Sequence, residues 1–343
     1  MPSLMYLLNL VWTTTASMTY ARDYHTASVL ANGTVLVVGG YNINSTSLSS
    51  AELYSPSTNT WITIANMTYA RAFHTASVLA NGNVLVVGGY NINRSSLSSA
   101  ELYNPSTNTW TTTASMTYAR AYHTASVLAN GTVLVVGGYN TSTSLSSAEL
   151  YNPSTGTWTT AASMTYARRI HTASVFADGT VFVVGGFSTS SIVSSAELYN
   201  PSTNTWTTKA SMTYPRRSQT AAVLVNGNVL VVGGFNMNSS SLSSAELYNP
   251  STNTWITIAS MTYTRTFHTA SVLANGKVLV VGGYSNGNVV GSVELYDPST
   301  NTWTTTASMA YPRDYHTASV LTNGTILVIG GYNIGPLNSA ELY

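Results

Sequence analysis

Residues 22–64 read RDYHTASVLANGTVLVVGGYNINSTSLSSAELYSPSTNTWITI, and this stretch decides the fold. Its apolar and β-branched residues fall into four short runs, at 25–30, 35–38, 51–54 and 61–64. Turn sequences separate the runs, among them Asn32-Gly33, which favours a two-residue hairpin. The run at 35–38 is apolar throughout, as in a strand buried on both faces. The stretch therefore predicts four antiparallel strands and no helix.

The same unit recurs along the whole chain. Tryptophan marks one position of it, at intervals of 48 or 49 residues: Trp12, Trp61, Trp110, Trp158, Trp206, Trp255 and Trp303. A Gly-Gly pair begins at Gly39, Gly88, Gly137, Gly185, Gly233, Gly282 and Gly330. A Glu-Leu-Tyr triplet begins at Glu52, Glu101, Glu149, Glu197, Glu246, Glu294 and Glu341. An arginine precedes the first strand of each unit, at Arg22, Arg71, Arg120, Arg168, Arg216, Arg265 and Arg313. Each feature occurs seven times, so the chain holds seven units.

These features resemble the kelch repeat: the Gly-Gly pair, the tyrosine and tryptophan at fixed spacing, and the Arg-x-x-His sequence before the next strand. The resemblance covers nearly the whole chain. It implies an all-β fold, a seven-bladed β-propeller whose four-stranded antiparallel blades surround a central channel. A more distant resemblance is to the central propeller of galactose oxidase, without the active site of that enzyme.

The register of the units predicts how the ring closes. The chain opens with the strand of Trp12, which is the last strand of a unit, and it stops at Tyr343, in the third strand of another. We therefore expect residues 8–15 to complete the blade formed by residues 316–343, so that residues 1–343 form a single propeller closed by its N-terminal strand. Closure of this kind hides strand edges that would otherwise promote aggregation. The alternative left open is that the chain is a fragment of a longer protein.

Composition excludes several classes of protein. Only 7% of the residues are charged and the formal net charge is +1, unlike the basic surfaces that bind nucleic acids. A hydrophobic fraction of 44% excludes an intrinsically disordered chain. Cysteine is absent, which excludes disulfides, thiolate metal sites and cysteine nucleophiles. No apolar run reaches the roughly 20 residues of a membrane span, and the N-terminus lacks the features of a signal peptide. We expect a cytoplasmic protein, or an extracellular one if the N-terminus is incomplete.

The repeated arginines and glutamates admit two interpretations. They form either a ring of binding groups or buried pairs that join strands or neighbouring blades. Because the chain has so few charges, the structural interpretation is favoured for the glutamates. The arginines stand at the mouth of the loop before each inner strand, so they remain candidates for binding.

One repeat position holds six histidines, and the fifth unit fills it with Gln219. The histidines are His25, His74, His123, His171, His268 and His316. A ring of imidazoles could bind a metal, but no carboxylate or thiolate completes a recognisable ligand set. We therefore predict a hydrogen bond at the start of each inner strand, no metal site and no cofactor.

The resemblance also implies a binding face. Kelch propellers commonly bind partners with the loop after Gly-Gly and the loop that carries the arginine, and both emerge on the same side. We call this side the loop face, and we expect its residues to line a shallow bowl. The tryptophans and the other tyrosines are assigned to packing between blades. The candidate partner-binding residues are Arg22, Asp23, Tyr41, Asn42, Arg71, Tyr90, Asn91, Arg120, Tyr139, Asn140, Arg168, Arg169, Phe187, Arg216, Arg217, Phe235, Asn236, Arg265, Tyr284, Arg313, Asp314, Tyr332 and Asn333.

The copies differ most clearly at the residue after the repeat arginine. Asp23 and Asp314 occupy it in units one and seven, which are neighbours across the closure. Arg169 and Arg217 occupy it in units four and five, on the opposite side of the ring. This pattern predicts a polarised rim that orients a partner by charge, unless it is drift among exposed positions.

The sequence carries no recognisable catalytic motif. The copper radical oxidases that resemble galactose oxidase need a cysteine cross-linked to a tyrosine, and this chain has no cysteine. His-Glu-x-x-His and P-loop sequences are also absent. We predict a non-enzymatic, monomeric scaffold that binds a protein or peptide, with no nucleic-acid partner and no membrane span. The alternatives are a carbohydrate-binding module, whose ligand would be a glycan, and a structural repeat array without a dedicated ligand.

Overall fold

The computed structural model describes residues 11–343, which form seven four-stranded antiparallel sheets and one short hairpin. In chain order the strands are β1 (Thr13–Thr14), β2 (Thr26–Val29), β3 (Val35–Val38), β4 (Ala51–Ser55), β5 (Thr60–Thr63), β6 (Thr75–Val78), β7 (Val84–Val87), β8 (Ala100–Asn104), β9 (Thr109–Thr113), β10 (Thr124–Val127), β11 (Val133–Val136), β12 (Ala148–Asn152), β13 (Thr157–Ala161), β14 (Thr172–Val175), β15 (Val181–Val184), β16 (Ala196–Asn200), β17 (Thr205–Lys209), β18 (Thr220–Val223), β19 (Val229–Val232), β20 (Ala245–Asn249), β21 (Thr254–Ile258), β22 (Thr269–Val272), β23 (Val278–Val281), β24 (Tyr284–Ser285), β25 (Asn288–Val289), β26 (Val293–Asp297), β27 (Thr302–Thr306), β28 (Thr317–Val320), β29 (Ile326–Ile329) and β30 (Ala340–Leu342).

Each sheet is one blade of a propeller. Blades one to five take four successive strands each, starting at β2, and blade six takes β22, β23, β26 and β27. The first strands of all seven blades contact one another in order around the axis, and β28 contacts β2 to complete the circle. The predicted fold, an all-β seven-bladed propeller, is therefore confirmed.

The N-terminal strand closes the ring, as predicted. Blade seven is built from β28, β29 and β30 together with β1, which pairs antiparallel with β30 through Thr13 opposite Leu342 and Thr14 opposite Glu341. Of the predicted span 8–15, residues 8–10 lie outside the described residues. That residues 1–343 make up one complete domain stays a prediction.

The hydrophobic core is divided among the interfaces between blades. The second strand of each blade is buried on both faces, as the apolar runs predict; Val35–Val38 of β3 is an example. Val35 and Val37 pack against Leu327 and Ile329 of blade seven, and six equivalent clusters occupy the other interfaces. Burial is therefore supplied by the neighbouring blade, which makes closure of the ring a requirement for a complete core.

The repeated tryptophans join neighbouring blades. The Trp61 indole lies beside Tyr54, and its Nε1 donates a 2.8 Å hydrogen bond to the carbonyl oxygen of Ala16, in the segment that follows blade seven. All seven tryptophans make the same bond to a backbone carbonyl one unit earlier in the ring. The predicted role in packing between blades is confirmed.

The Gly-Gly pair allows neighbouring backbones to approach closely. Gly39 and Gly40 adopt φ values of 64° and 93°, and a Cβ on either would collide with the carbonyl oxygen of Arg71 or Asp23. The amide of Gly40 donates to the Arg71 carbonyl at 2.9 Å, which ties blade one to the segment entering blade two. Glycine is required here because any side chain would displace that segment.

Strand bounds differ slightly from prediction, because strand pairing and not residue type sets where a strand ends. The first strand of unit one is Thr26–Val29 and the fourth is Thr60–Thr63. The sixth unit adds an unpredicted hairpin, β24–β25, which turns at Asn286 and Gly287, both with positive φ. No helix of a length and apolarity able to cross a lipid bilayer occurs in the described part of the chain.

Candidate functional site

The repeat arginine is a buried structural residue. Arg22 Nη2 lies 2.8 Å from Glu52 Oε1, and both side chains are 0% exposed. Arg22 Nη1 donates to the carbonyl oxygens of Gly39 at 2.7 Å and Ser50 at 3.1 Å. The Glu52 carboxylate also accepts from the backbone amides of Thr19 and Tyr20. The pair therefore fastens the segment that enters a blade to the third strand of that blade.

The same pairing recurs in every blade, with N–O distances of 2.7–2.9 Å. The structural interpretation of the glutamates is confirmed. The assignment of the repeat arginines to the partner-binding face is wrong, because a guanidinium with no exposed surface cannot contact a partner. The residues removed from the candidate site are Arg22, Arg71, Arg120, Arg168, Arg216, Arg265 and Arg313.

Each repeat histidine forms a hydrogen bond that joins the inner strands of two neighbouring blades. His74 Nε2 lies 3.0 Å from Thr26 Oγ1 of the preceding blade, and the other five histidines make the same contact. Burial is the main cause, and the charge of Arg71 the next, that holds the pKa of His74 well below its usual value, so its imidazole is neutral. Gln219 also bonds across its blade boundary, but its Nε2 donates to the carbonyl oxygen of Val184 at 3.0 Å. The predicted hydrogen bonds at the starts of the inner strands are confirmed.

The loop face brings together the residue after each arginine and the aromatic residue after each Gly-Gly pair. Asp23 and Tyr41 exchange two backbone hydrogen bonds, of 3.2 and 2.8 Å. Equivalent bridges join Arg169 to Phe187, Arg217 to Phe235 and Asp314 to Tyr332. The four charged residues of the predicted rim therefore share one face.

The acidic side of that rim is weaker than predicted. Asp23 is 6% exposed and Asp314 is 3% exposed. Burial raises the pKa of Asp23 to about 7, and burial together with the neighbouring Asp23 raises that of Asp314 to about 7. A carboxyl with such a pKa is only partly ionised at neutral pH, so the prediction of an exposed acidic sector is wrong in this respect.

The basic side is accessible and is built on aromatic rings. The half-buried Arg169 places its guanidinium carbon 4.1 Å from the ring centroid of Tyr139 and 5.0 Å from that of Phe187. Arg217 lies in the same way 4.8 Å from Phe235. Stacking of this kind holds an arginine in place while its N–H groups stay free to donate.

The remaining candidate residues lie in the loop after Gly-Gly. The aromatic side chains at the first position are half-buried, apart from Tyr332, which is exposed. Asn42 Oδ1 accepts from the amides of Asn44 and Thr46, both at 3.0 Å, and so shapes its own loop. The asparagines that form the same turn in other units are Asn91, Asn140 and Asn236. The face thus presents aromatic rings and two arginines, with asparagines supporting the loops.

Sequence reasoning missed a ring of residues at the mouth of the channel, two positions after each repeat arginine. Their side chains are Tyr24, Phe73, Tyr122, Ile170, Ser218, Phe267 and Tyr315. Each backbone amide donates to the carbonyl of the ring residue in the preceding blade, at 3.1–3.4 Å, which makes a closed circle of hydrogen bonds. All seven have φ between 50° and 57°, an uncommon conformation for residues with a side chain. The available signal was an aromatic residue in five of seven copies.

Two adjoining cavities open on the loop face. The larger, of about 630 Å³, lies over blades five to seven and is lined by residues that include Arg217, Phe235, Phe267, Tyr284, Asp314, Tyr315, Tyr332 and Asn333. The second, of about 380 Å³, lies on the axis within the ring of channel-mouth residues. Both cavities are lined by Arg217, Phe267 and Tyr315. The candidate site is therefore one aromatic surface that spans the channel mouth and the rim.

Comparison with protein families agrees with the repeat pattern and the seven blades. A family model described as the KLHDC2/KLHL20/DRC7 Kelch-repeats domain matches residues 7–186, 74–264 and 171–342. The chain belongs to the kelch-repeat family. No curated protein sequence matches this kelch propeller.

Two solved structures share the architecture of the kelch propeller. One is a fungal alcohol oxidase of the AA5 family in complex with copper, with a TM-score of 0.79 and 19% identity over 97% of this chain and 76% of that one. The other is the structure of YjhT, with a TM-score of 0.66 and 17% identity over 85% of this chain and 99% of that one. At these identities the likeness concerns the fold alone.

The described residues of this kelch propeller do not fit a copper site. Within residues 11–343, no three His, Asp or Glu side chains are grouped so that they could hold a metal ion. In each of the six repeat histidines, Nε2 is hydrogen-bonded to a threonine of the neighbouring blade. Their arrangement serves the joints between blades.

Proposed function

We propose that this kelch propeller is a non-catalytic binding module that holds a protein or peptide partner on its loop face. The observation that carries the proposal is the continuous aromatic surface of the two adjoining cavities, with Arg217, Phe267 and Tyr315 common to both. Aromatic residues and arginine are enriched at the centres of protein interfaces, where a few buried side chains supply most of the binding energy.

The chemistry of the face supports binding more than catalysis. Arg169 and Arg217 are fixed by stacking on aromatic rings, so little side-chain entropy is lost when a partner engages them. The chain also lacks the cysteine on which the radical chemistry of galactose-oxidase-like enzymes depends. The propeller is a rigid scaffold that presents half-buried arginine donors and aromatic side chains on its loop face. Such a surface suits recognition of a peptide segment that lies across the channel mouth.

The test is capture of a partner by cross-linking, from cells and from medium, followed by binding of the purified partner. Wild type is compared with an Arg169→Ala/Arg217→Ala variant and with Val225→Ala, a control on the opposite face, where Val225 is 85% exposed in a hairpin turn. A protein that binds wild type and the control but not the double variant supports the proposal. A partner that binds all three equally, or a ligand found only on a parallel glycan array, overturns it.

A further inference from the structure

The larger cavity of the loop face lies where three departures from the seven-fold repeat meet. The hairpin β24–β25, which occurs in blade six alone among the described residues, supplies Asn288 and Val289 to its wall. Arg217 lines the cavity from blade five, and Asp314 lines it from blade seven. Blades two, three and six have alanine or threonine at the repeat position of these two residues. The charges of this cavity of about 630 Å³ are therefore particular to one part of the ring.

Asp314 places an unpaired carboxyl group deep in this cavity. It is 3% exposed, whereas Tyr332 in the same cavity wall is 37% exposed. Oδ1 is enclosed by protein and has no hydrogen-bond partner among the described residues. Oδ2 also lacks a hydrogen bond there but is not enclosed, so it is the oxygen that a ligand in the cavity can contact.

The groups around Asp314 leave its charge uncompensated. Burial, and next the carboxyl group of Asp23 in the adjoining blade, raise the pKa of Asp314 to about 7. Arg217 is stacked on Phe235 in blade five, and among the described residues no ion pair joins any basic side chain to Asp314. Burial raises the pKa of the neighbouring Tyr315 above its ordinary value, so that phenol is neutral. A positive group beside Asp314 would therefore stabilise the ionised carboxylate and be held by it.

The cavity restricts the chemistry of its ligand. A carboxylate or phosphate is repelled by ionised Asp314, and a hydroxyl group donates a hydrogen bond but leaves the charge of the carboxylate uncompensated. An ammonium or guanidinium group supplies both the donor and the charge, and aromatic rings attract cations. The aromatic residues that line the cavity are Phe235, Phe267, Tyr284, Tyr315 and Tyr332. Because Asp314 lies deep, the charge must stand at the end of a long stem that can pack along these rings, as in lysine and arginine.

We infer that the cavity over blades five to seven is the binding site for a lysine or arginine side chain of the protein partner. The inference rests on the proposed function and adds the chemistry of the partner segment. The cationic end of the side chain donates to Asp314 Oδ2, and its aliphatic stem lies against the aromatic rings. Arg217 repels a second basic group, so the part of the segment at the blade-five end is acidic or neutral, which fixes the direction in which the segment binds.

Asp314→Asn is the decisive variant, because it removes the charge and keeps the size of the side chain. The matched control is Asp178→Asn, the same exchange in a hairpin turn on the opposite face, where the other six units already have asparagine. Peptides are selected on wild type from a random library at pH 8, above the pKa of Asp314. Their Kd values are measured by calorimetry on wild type, on both variants and on Arg169→Ala/Arg217→Ala, each checked for folding by circular dichroism. Each peptide is also resynthesised with its lysine or arginine replaced by methionine, which tests the charge on an unaltered propeller.

The expected result is a shared lysine or arginine in the selected peptides. Removal of either charge, by Asp314→Asn or by the methionine replacement, should weaken binding by about tenfold or more, while Asp178→Asn binds as wild type does. Peptides without a shared basic residue, or with one whose binding is unchanged in Asp314→Asn, overturn this inference. Where such peptides still depend on Arg169 and Arg217, the proposed function stays in place. Selection of no peptide, or of peptides insensitive to changes at all three positions, overturns both.

Discussion

The indole Nε1 of Trp12 donates a 2.8 Å hydrogen bond to the carbonyl oxygen of Ala307, although 295 positions separate the two residues in sequence. Six other tryptophans make this bond between neighbours along the chain. The joint between blades six and seven is thus built like every other joint, and the N-terminal strand takes part in it as a full member of the ring.

Because the joints between blades are built alike, removal of the tryptophan hydrogen bond should lower the free energy of unfolding by the same amount at each joint. Trp12→Phe and Trp158→Phe each lose one hydrogen bond and retain an aromatic ring, so each should lower the free energy of unfolding by about 1 kcal/mol. Denaturant titration of both variants measures this. A Trp12→Phe variant as stable as wild type, beside a destabilised Trp158→Phe, would show that β1 contributes little to closure.

Removing one charge from a buried pair should be far more costly. Glu149→Gln leaves the Arg120 guanidinium at 0% exposure without a counter-ion, and the expected loss is about 3 kcal/mol or more. The matched surface pair is Lys277 and Asp297, 3.0 Å apart and 37% and 23% exposed. Lys277→Met should change the free energy of unfolding by less than about 0.5 kcal/mol. Similar losses in the two variants would contradict the structural role assigned to the arginines.

The two buried aspartates predict a dependence of stability on pH. Their pKa values are about 7 in the folded protein, against an ordinary value of 3.8. Between these values the folded state keeps protons that the unfolded state releases, so their contribution to stability falls as the pH rises from about 4 to about 7 and is constant below that range. An Asp23→Asn/Asp314→Asn variant lacks this contribution.

The quantity to measure is the difference in unfolding free energy between wild type and that variant. The comparison is needed because the buried histidines act in the opposite direction: the pKa of His123 is lowered to about 3, chiefly by burial, so protonation of the unfolded state below pH 6.5 destabilises the fold. Relative to the variant, wild type should be more stable at pH 5 than at pH 8. A difference that does not change with pH would mean that the carboxyl groups are solvated.

Gln219 predicts a stabilising substitution. Thr172 Oγ1 has no hydrogen-bond partner among the described residues, whereas the equivalent Thr124 contacts His171 at 2.9 Å. Gln219→His should provide the missing contact and raise the free energy of unfolding by about 1 kcal/mol, and His123→Gln should lower it by a similar amount. Thermal and denaturant unfolding test both. Destabilisation by Gln219→His would show that the hydrogen bond from Gln219 Nε2 to the Val184 carbonyl contributes more than a histidine–threonine hydrogen bond at this position.

The sequence predicted features that depend on neighbours within a unit or on strict repetition. The glycine pair and the hairpin at Asn32-Gly33 are local backbone requirements, and the tryptophan spacing sets the number of blades. The burial of Arg22 was left open because it depends on Glu52, 30 positions away, and on the path of the segment between them.

The candidate site was predicted in position but not in composition. The loop face and its Gly-Gly aromatics follow from the repeat, yet Tyr24 and its counterparts were overlooked, because they occupy one of the two variable positions between the repeat arginine and the histidine. Only the arrangement of blades about an axis brings Tyr24 within 4.0 Å of Tyr315, measured between ring centroids. Ile170 and Ser218, the two residues of the ring that are not aromatic, stand out only when the ring itself is known.

The central claim is that a protein or peptide partner binds the loop face. The affinity of the captured partner for a Phe267→Ala variant tests it most directly, because Phe267 lines both cavities. Isothermal titration calorimetry on wild type, Phe267→Ala and Val225→Ala, each checked for folding, is the measurement. We predict a loss of about 2 kcal/mol, or roughly thirtyfold in Kd, for Phe267→Ala and no change for Val225→Ala. Wild-type affinity in Phe267→Ala, with weakened binding by Val225→Ala, would place the partner on the opposite face and contradict the account.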